Sequence, residues 1–304
     1  MGAQLRVFRG RIKSVKATKK ITKAMELIAS SRIVKAQQRV EAATPYTRAL
    51  SAAVTAAASN GSTVHRLTTA PETRTRAAVC MITADRGLAG GYSSNIIREA
   101  EALTNLLKDE NVAASHFLVG RKAVNFFRFR ERPIAGQWTG FTDQPRYQDA
   151  VDIANGLLAA LNTSSGDGGV DEIHLVYTHF ENMAVQRPVV KRLIPLEVEE
   201  TTVEQAAASG LVPPLYEFEP SAEAVLDALL PRYITNVVWN ALLLAAASEH
   251  AARRRAMKSA TDNAEELIKS LTRQANQARQ AEITQEISEI VGGADALASA
   301  TAGS

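Results

Sequence analysis

The chain has 304 residues, 46% of them hydrophobic and 22% charged, with a net charge of +3 and a single cysteine. That length can bury a substantial core, no window holds the 18 or more consecutive apolar residues of a membrane span, and one cysteine excludes an internal disulfide. The first residues lack the apolar core of a secretory signal and read as a mature, prokaryotic-type N-terminus.

Residues from about Ala3 to Ser59 are strongly helical, broken only by Gly10 and Pro45. Leu5, Phe8, Ile12 and Val15 follow the 3-4-3 spacing of a coiled-coil seam. Thr18, Lys19 and Thr22 interrupt the stripe, and Ile21, Met25 and Ile28 are expected to resume it after a slip. Pro45 is expected to kink or end the helix near Thr44. Eight basic residues (Arg6, Arg9, Arg11, Lys13, Lys16, Lys19, Lys20, Lys23) and no acid lie between Met1 and Ala24. Such a face is either solvated or meets something acidic: nucleic acid, anionic lipid or a carboxylate cluster.

The middle changes period. Arg76–Ala84 reads as a buried strand carrying Cys80, a packed thiol rather than a reactive one. A loop, Asp85–Gly91, leads to a helix over Ser93–Lys108. His116–Gly120 is a second strand, Arg121–Glu131 and Tyr147–Leu161 are helices, Glu172–Thr178 alternates as a strand, and Val185–Leu196 is its hairpin partner. Strand alternating with helix argues for a central α/β domain with a largely parallel sheet. Thr163–Gly169 (Thr163, Ser164, Ser165, Gly166, Asp167, Gly168, Gly169) reads as a flexible polar excursion. Glu197–Pro220 reads as an irregular return to the terminal helix.

Arg232–Val291 contains neither proline nor glycine. About 60 helical residues would span on the order of 90 Å, and a helix of that length needs an equally long partner. The N-terminal helix is the matching candidate. The expected organisation is therefore an N-terminal coiled-coil helix over 1–60, a central α/β domain over 74–200 and a C-terminal coiled-coil helix over 215–304.

Catalytic signatures are sparse. There is no GxxxxGK[ST] phosphate loop, no HExxH and no metal-spaced cysteine and histidine cluster. The five histidines (His65, His116, His174, His179, His250) are scattered. The glycine-rich stretch Asp85-Arg86-Gly87-Leu88-Ala89-Gly90-Gly91 follows a strand, where dinucleotide phosphates dock in α/β folds, but lacks GxGxxG spacing. It reads as a structural turn. No cofactor and no catalytic residue is assigned.

Four segments resemble the gamma subunit of F-type ATP synthase, the central rotor shaft. They are RIKSVKATKKITKAMELIASSRIVKAQ (Arg11–Gln37), DRGLAGGY (Asp85–Tyr92), LYEFEPSAEAVLDALLPRY (Leu215–Tyr233), and SEHAARRRAMKSATDNAEELI with ARQAEITQEISEIVGGADAL within Ser248–Leu297. The resemblance implies an α/β fold: a long antiparallel coiled coil of the N- and C-terminal helices plus a central Rossmann-like α/β domain. It implies a non-catalytic subunit with alpha and beta subunits, an epsilon subunit and a c-ring as partners, without nucleic acid or a membrane span of its own. The implied location is peripheral, on the cytoplasmic face of a bacterial plasma membrane.

By the same resemblance Lys20, Lys23, Met25, Arg253, Gln280, Thr284 and Glu286 face the alpha/beta ring. Ile283, Ile287, Ile290 and Val291 serve an apolar upper bearing or the helix seam. Two departures stand out. Arg273-Gln274-Ala275 replaces a larger apolar residue and a tyrosine, and Thr163–Gly169 looks like an insertion with a regulatory role. The competing reading from residues alone is a basic coiled-coil arm that binds nucleic acid. It calls for aromatics along the arm, and Met1–Ala43 offers only Phe8.

Overall fold

A computed structural model describes residues 2–59, 74–164, 167–196, 218, 219 and 221–302. Glu197–Pro220 therefore lies almost wholly outside the described residues, as do Ser165 and Gly166. The elements in chain order are α1 (Gly2–Ser59), β1 (Arg76–Ile82), α2 (Tyr92–Asp109), β2 (Ala113–Val119) and α3 (Arg121–Phe129), followed by β3 (Gly136–Trp138), α4 (Tyr147–Asn162), β4 (Glu172–Phe180), β5 (Gln186–Ile194) and α5 (Ala222–Ala302). Packing divides the chain into two compact units: Met1–Ile28 with Arg254–Ser304, and Ala29–Arg253. Both terminal helices contribute to both units, so the division by packing differs from one drawn at the helix ends.

In the larger unit the strands are ordered β3-β2-β1-β4-β5. The first four are mutually parallel and β5 runs antiparallel to β4. β1 is apolar from Ala77 to Ile82 because it is covered on both faces. Ala77, Val79 and Met81 join the core built on α2 and α3. Ala78, Cys80 and Ile82 join the opposite core, formed by α4 with Leu50, Val54 and Ala57 of α1 and Leu226–Ala245 of α5. Cys80 is fully buried, and burial pushes its thiol up to about 12. The hairpin β4–β5 is closed by Asn182, whose side-chain oxygen accepts from the amides of Ala184 (2.8 Å) and Val185 (2.9 Å).

β3 is an element the sequence pattern does not announce. Three residues are too few to display a period, and they pair with Phe117–Val119 only through the register of the sheet. Gly120, at φ +95°, is required where β2 turns into α3, since a Cβ there would lie 2.4 Å from the Thr83 carbonyl oxygen.

Both long helices carry a proline inside their span. α1 passes through Pro45 without ending. A proline removes one backbone donor and leaves the carbonyl four residues earlier without its partner. That residue is Glu41, and it and Pro45 are both exposed, so water can serve the freed carbonyl. α5 begins at Ala222, ten residues before the proline-free stretch, with Pro231 also on an exposed position.

Thr163–Gly169 is less of an excursion than its composition suggests. Thr163 Oγ1 donates to the Ala159 carbonyl (2.8 Å), and the amides of Asp167 and Gly169 both donate to Ser164 (2.9 Å). Gly169 is buried, whereas Thr163, Ser164, Asp167 and Gly168 are exposed.

Candidate functional site

The smaller unit is an antiparallel pair of helix ends. Lys19 Nζ donates to Glu265 Oε2 at 2.9 Å, and the hydroxyls of Thr22 and Thr261 meet at 2.8 Å. Leu5, Phe8, Ile12, Val15, Lys19, Thr22 and Glu26 are buried or half-buried positions of α1 here in an unbroken alternation of threes and fours, with Met25 half-buried beside them. On α5 Met257, Thr261, Ala264, Ile268, Leu271, Ala275, Ala278 and Glu282 follow the same alternation, flanked by half-buried Ala260 and Ser270. Of the three residues expected to resume the stripe after a slip, only Met25 is half-buried. The seam continues straight through Lys19 and Thr22, while Ile21 (60%) and Ile28 (54%) are exposed. The hydroxyl pair satisfies the buried threonines and lets a polar residue hold a seam position. Ala275 explains the tolerated departure on α5: a small side chain fills the seam while Arg273 and Gln274 are exposed.

Among the residues assigned to partner contact, Lys20 and Lys23 are exposed and Met25 is half-buried. Lys23 also reaches Glu26 Oε2 at 3.1 Å. Gln280, Thr284 and Glu286 are exposed on α5. Beyond Glu282 the seam pattern stops, and Ile283, Ile287, Ile290 (72%) and Val291 all face outward. They take no part in the helix seam. A run of exposed β-branched residues on one helix is an uncovered apolar surface. Phe8, the lone aromatic of the basic arm, is half-buried in the seam.

Arg253 belongs to the larger unit and is only 8% exposed. Its Nη2 donates to Glu249 Oε1 at 2.6 Å and to the Gly87 carbonyl at 3.4 Å. Both bonds are made within the larger unit. Burial pushes the Glu249 carboxyl up, and the adjacent guanidinium works against that rise. His250, one residue on, places Nε2 2.9 Å from the Asp143 carbonyl oxygen. A carbonyl can only accept, so Nε2 carries the proton and Nδ1 accepts from Arg253 Nη1 at 3.5 Å. Tyr92 Oη donates to the Ala245 carbonyl and Ser248 Oγ to that of Thr178, each at 3.2 Å.

Residues 245–253 of α5 therefore lie across the carboxyl ends of β1 and β4. In open parallel sheets this switch point is where ligands bind; here the chain's own helix takes it. The Asp85–Gly91 turn serves that packing. Asp85 Oδ2 accepts from the amides of Gly140 (2.7 Å) and Thr142 (3.1 Å), and Oδ1 from that of Arg121 (3.0 Å). One carboxylate thus ties together the loops after β1, β2 and β3. Leu88, at φ +63°, stays 60% exposed at the tip of the turn. Asp85→Ala should cost about 2–3 kcal/mol, since three backbone donors lose a charged acceptor; urea unfolding of the full chain measures it.

Sequence reasoning did not single out Glu249, His250 or Asp143. The i,i+4 pairing of Glu249 with Arg253 was its visible trace, but helix surfaces carry such pairs routinely. Their burial makes a pH prediction. Desolvation first, with the Arg253 and Arg32 charges adding, lowers His250 from 6.5 to about 4. The unfolded chain then binds a proton that the folded chain refuses. Stability from this residue is complete above pH 6.5 and declines as pH falls toward 4, by about 3 kcal/mol in all. His250→Gln should flatten that part of the stability–pH curve; an unchanged slope would contradict the assignment.

Two long terminal helices pair antiparallel in the smaller unit, and a five-stranded Rossmann-like sheet lies between them in sequence, which defines a class of α/β protein with paired terminal helices. Residues 4–297 match the family described as ATP synthase. The chain is 60% identical over 297 residues to the ATP synthase gamma chain of Acidothermus cellulolyticus, covering 98% of each, and 59% identical over 304 residues to that of Streptomyces avermitilis, covering 100% of this chain and 99% of that one. It belongs to the ATP synthase gamma chain family. A chain of the Euglena gracilis mitochondrial ATP synthase shares its fold with a TM-score of 0.69 at 18% identity, over 98% of this chain and 95% of that one. A chain from the central stalk and c-ring structure of the Tetrahymena thermophila mitochondrial ATP synthase aligns with a TM-score of 0.55 at 24% identity, over 79% of this chain and 99% of that one.

Proposed function

We propose that this chain is the central rotor shaft of an F-type ATP synthase, coupling proton-driven rotation of a c-ring to ATP synthesis or hydrolysis in surrounding alpha and beta subunits. The observation that carries the reading is the smaller unit: an antiparallel helix pair whose seam is closed and whose outer faces differ from one another. Basic Lys20 and Lys23 lie on one helix, polar Gln280, Thr284 and Glu286 with apolar Ile283, Ile287 and Ile290 on the other. An unevenly decorated shaft makes contacts of different free energy with each subunit it faces, and rotation shifts each subunit between conformations. The chain itself forms and breaks no bond. No helix among the described residues is long and apolar enough to cross a membrane. The chain is held at the cytoplasmic face of the bacterial plasma membrane by its partners, with epsilon and the c-ring beside its α/β domain.

Lys20, Lys23, Met25, Gln280, Thr284 and Glu286 are the contacts to the ring in this reading, and Arg253 acts through its buried pairing with Glu249. The Thr163–Gly169 loop restrains rotation. Its deletion should raise ATP hydrolysis of the assembled complex relative to synthesis, and no change in either rate would remove that role. The reading as a whole is tested by co-expressing the chain with alpha and beta subunits and purifying through a tag on beta. A stoichiometric complex whose ATPase activity depends on this chain supports it. A well-folded chain that fails to copurify refutes it.

A further inference from the structure

We propose that a cleft in the larger unit, between Arg32–Arg39 of α1, the loop before α4 and Leu243–His250 of α5, binds a small free oxyanion of the phosphate class. The cleft encloses about 310 Å³. One wall is a cationic stripe: Arg32, Lys35 and Arg39 fall at i, i+3 and i+7, two turns of one helix face. The opposite wall is apolar, made by Leu243 and Ala246 of α5 with Pro145.

Two cations share the single carboxylate of the cleft. Asp143 Oδ2 lies 2.7 Å from Arg32 Nη1 and also has Arg86 at 3.8 Å, so its charge is already spent. Lys35 and Arg39, four residues apart, have no ion pair or side-chain hydrogen bond among the described residues. Like charges at that spacing on a helix repel and cost stability. A dianion between them relieves the repulsion and gains charge-assisted hydrogen bonds. The Gln144 side chain stands at the same cleft as a neutral donor. His250 contributes no charge: its Nε2–H donates to the Asp143 carbonyl and its Nδ1 accepts from Arg253. The apolar wall lowers the local dielectric and strengthens each contact with the anion. Volume and charge suit inorganic phosphate or pyrophosphate better than a bulky polyanion.

The test is calorimetric titration of the full chain with inorganic pyrophosphate, without metal ions and at fixed ionic strength. Saturable one-to-one binding is expected. The double variant Lys35→Gln/Arg39→Gln should weaken it roughly tenfold or more, whereas Lys122→Gln, exposed on α3, should not. Both substituted side chains are exposed, so the variant retains the fold. Absence of saturable binding, or binding indifferent to the double variant, overturns the proposal. A hexaglutamate peptide that binds through Lys35 and Arg39 where pyrophosphate does not would also overturn it, because the cleft would then take a protein's carboxylates. Neither result bears on copurification with alpha and beta subunits, so the shaft reading stands or falls separately.

Discussion

Ala264→Pro should leave the α/β domain folded, destabilise the smaller unit by about 3 kcal/mol or more, and abolish coupling between proton flow and ATP synthesis in the assembled complex. Ala264 is 8% exposed at a seam position of α5. Proline there removes the amide that binds the Ala260 carbonyl and drives its ring against that same carbonyl. The chain already contains two prolines within helices, Pro45 and Pro231, and both are tolerated because they occupy exposed positions. At Ala264 neither water nor space is available on the seam side. Thermal unfolding of the full chain and proton-driven ATP synthesis of the complex measure the two parts of the effect. Unaltered coupling would mean that continuity of this helix is not what transmits rotation.

The second large effect is expected at Glu249. Glu249→Ala leaves the Arg253 guanidinium buried with only carbonyl and imidazole partners, and removing one member of a buried pair costs about 3–5 kcal/mol. The loss should appear in urea unfolding of the full chain. Replacing both residues, as in Glu249→Leu/Arg253→Leu, should recover most of it, since two apolar side chains leave no charge stranded. A double variant as unstable as the single one would show that Arg253 matters chiefly through Gly87 and His250.

The elements were legible where period and length agree. β1, α2, α4, β4 and the β4–β5 hairpin follow from alternation, apolar runs and turn residues, and their ends shift by only a few positions. β3 was illegible because three residues carry no period, and Trp138 gains its place only from pairing with Val119. The seam of α1 was half legible. Leu5, Phe8, Ile12 and Val15 set its phase, but reading onward by hydrophobicity selected Ile21 and Ile28, which are exposed, over Lys19 and Thr22. Nothing within α1 marks Thr22 as buried; Thr261 does so from 239 positions away.

The buried cluster at the carboxyl ends of the strands divides in the same way. Asp85 and its glycines announced a turn, and Gly90, at φ +56°, holds one of its two left-handed positions while Leu88 holds the other. That this turn holds Arg253, and that α5 fills the position where a ligand would otherwise sit, depends on contacts between residues more than 150 positions apart.

By itself the sequence determined the helical termini, the alternating α/β middle, the phase of the coiled coil and, through four long segments, the family. Those are properties of local propensity and residue order. The tertiary structure decided which polar residues are buried, which prolines a helix can carry, and where charge is left without a partner. Each of these depends on what lies across a packing interface, and burial changes the free energy of a polar group by more than any local preference does.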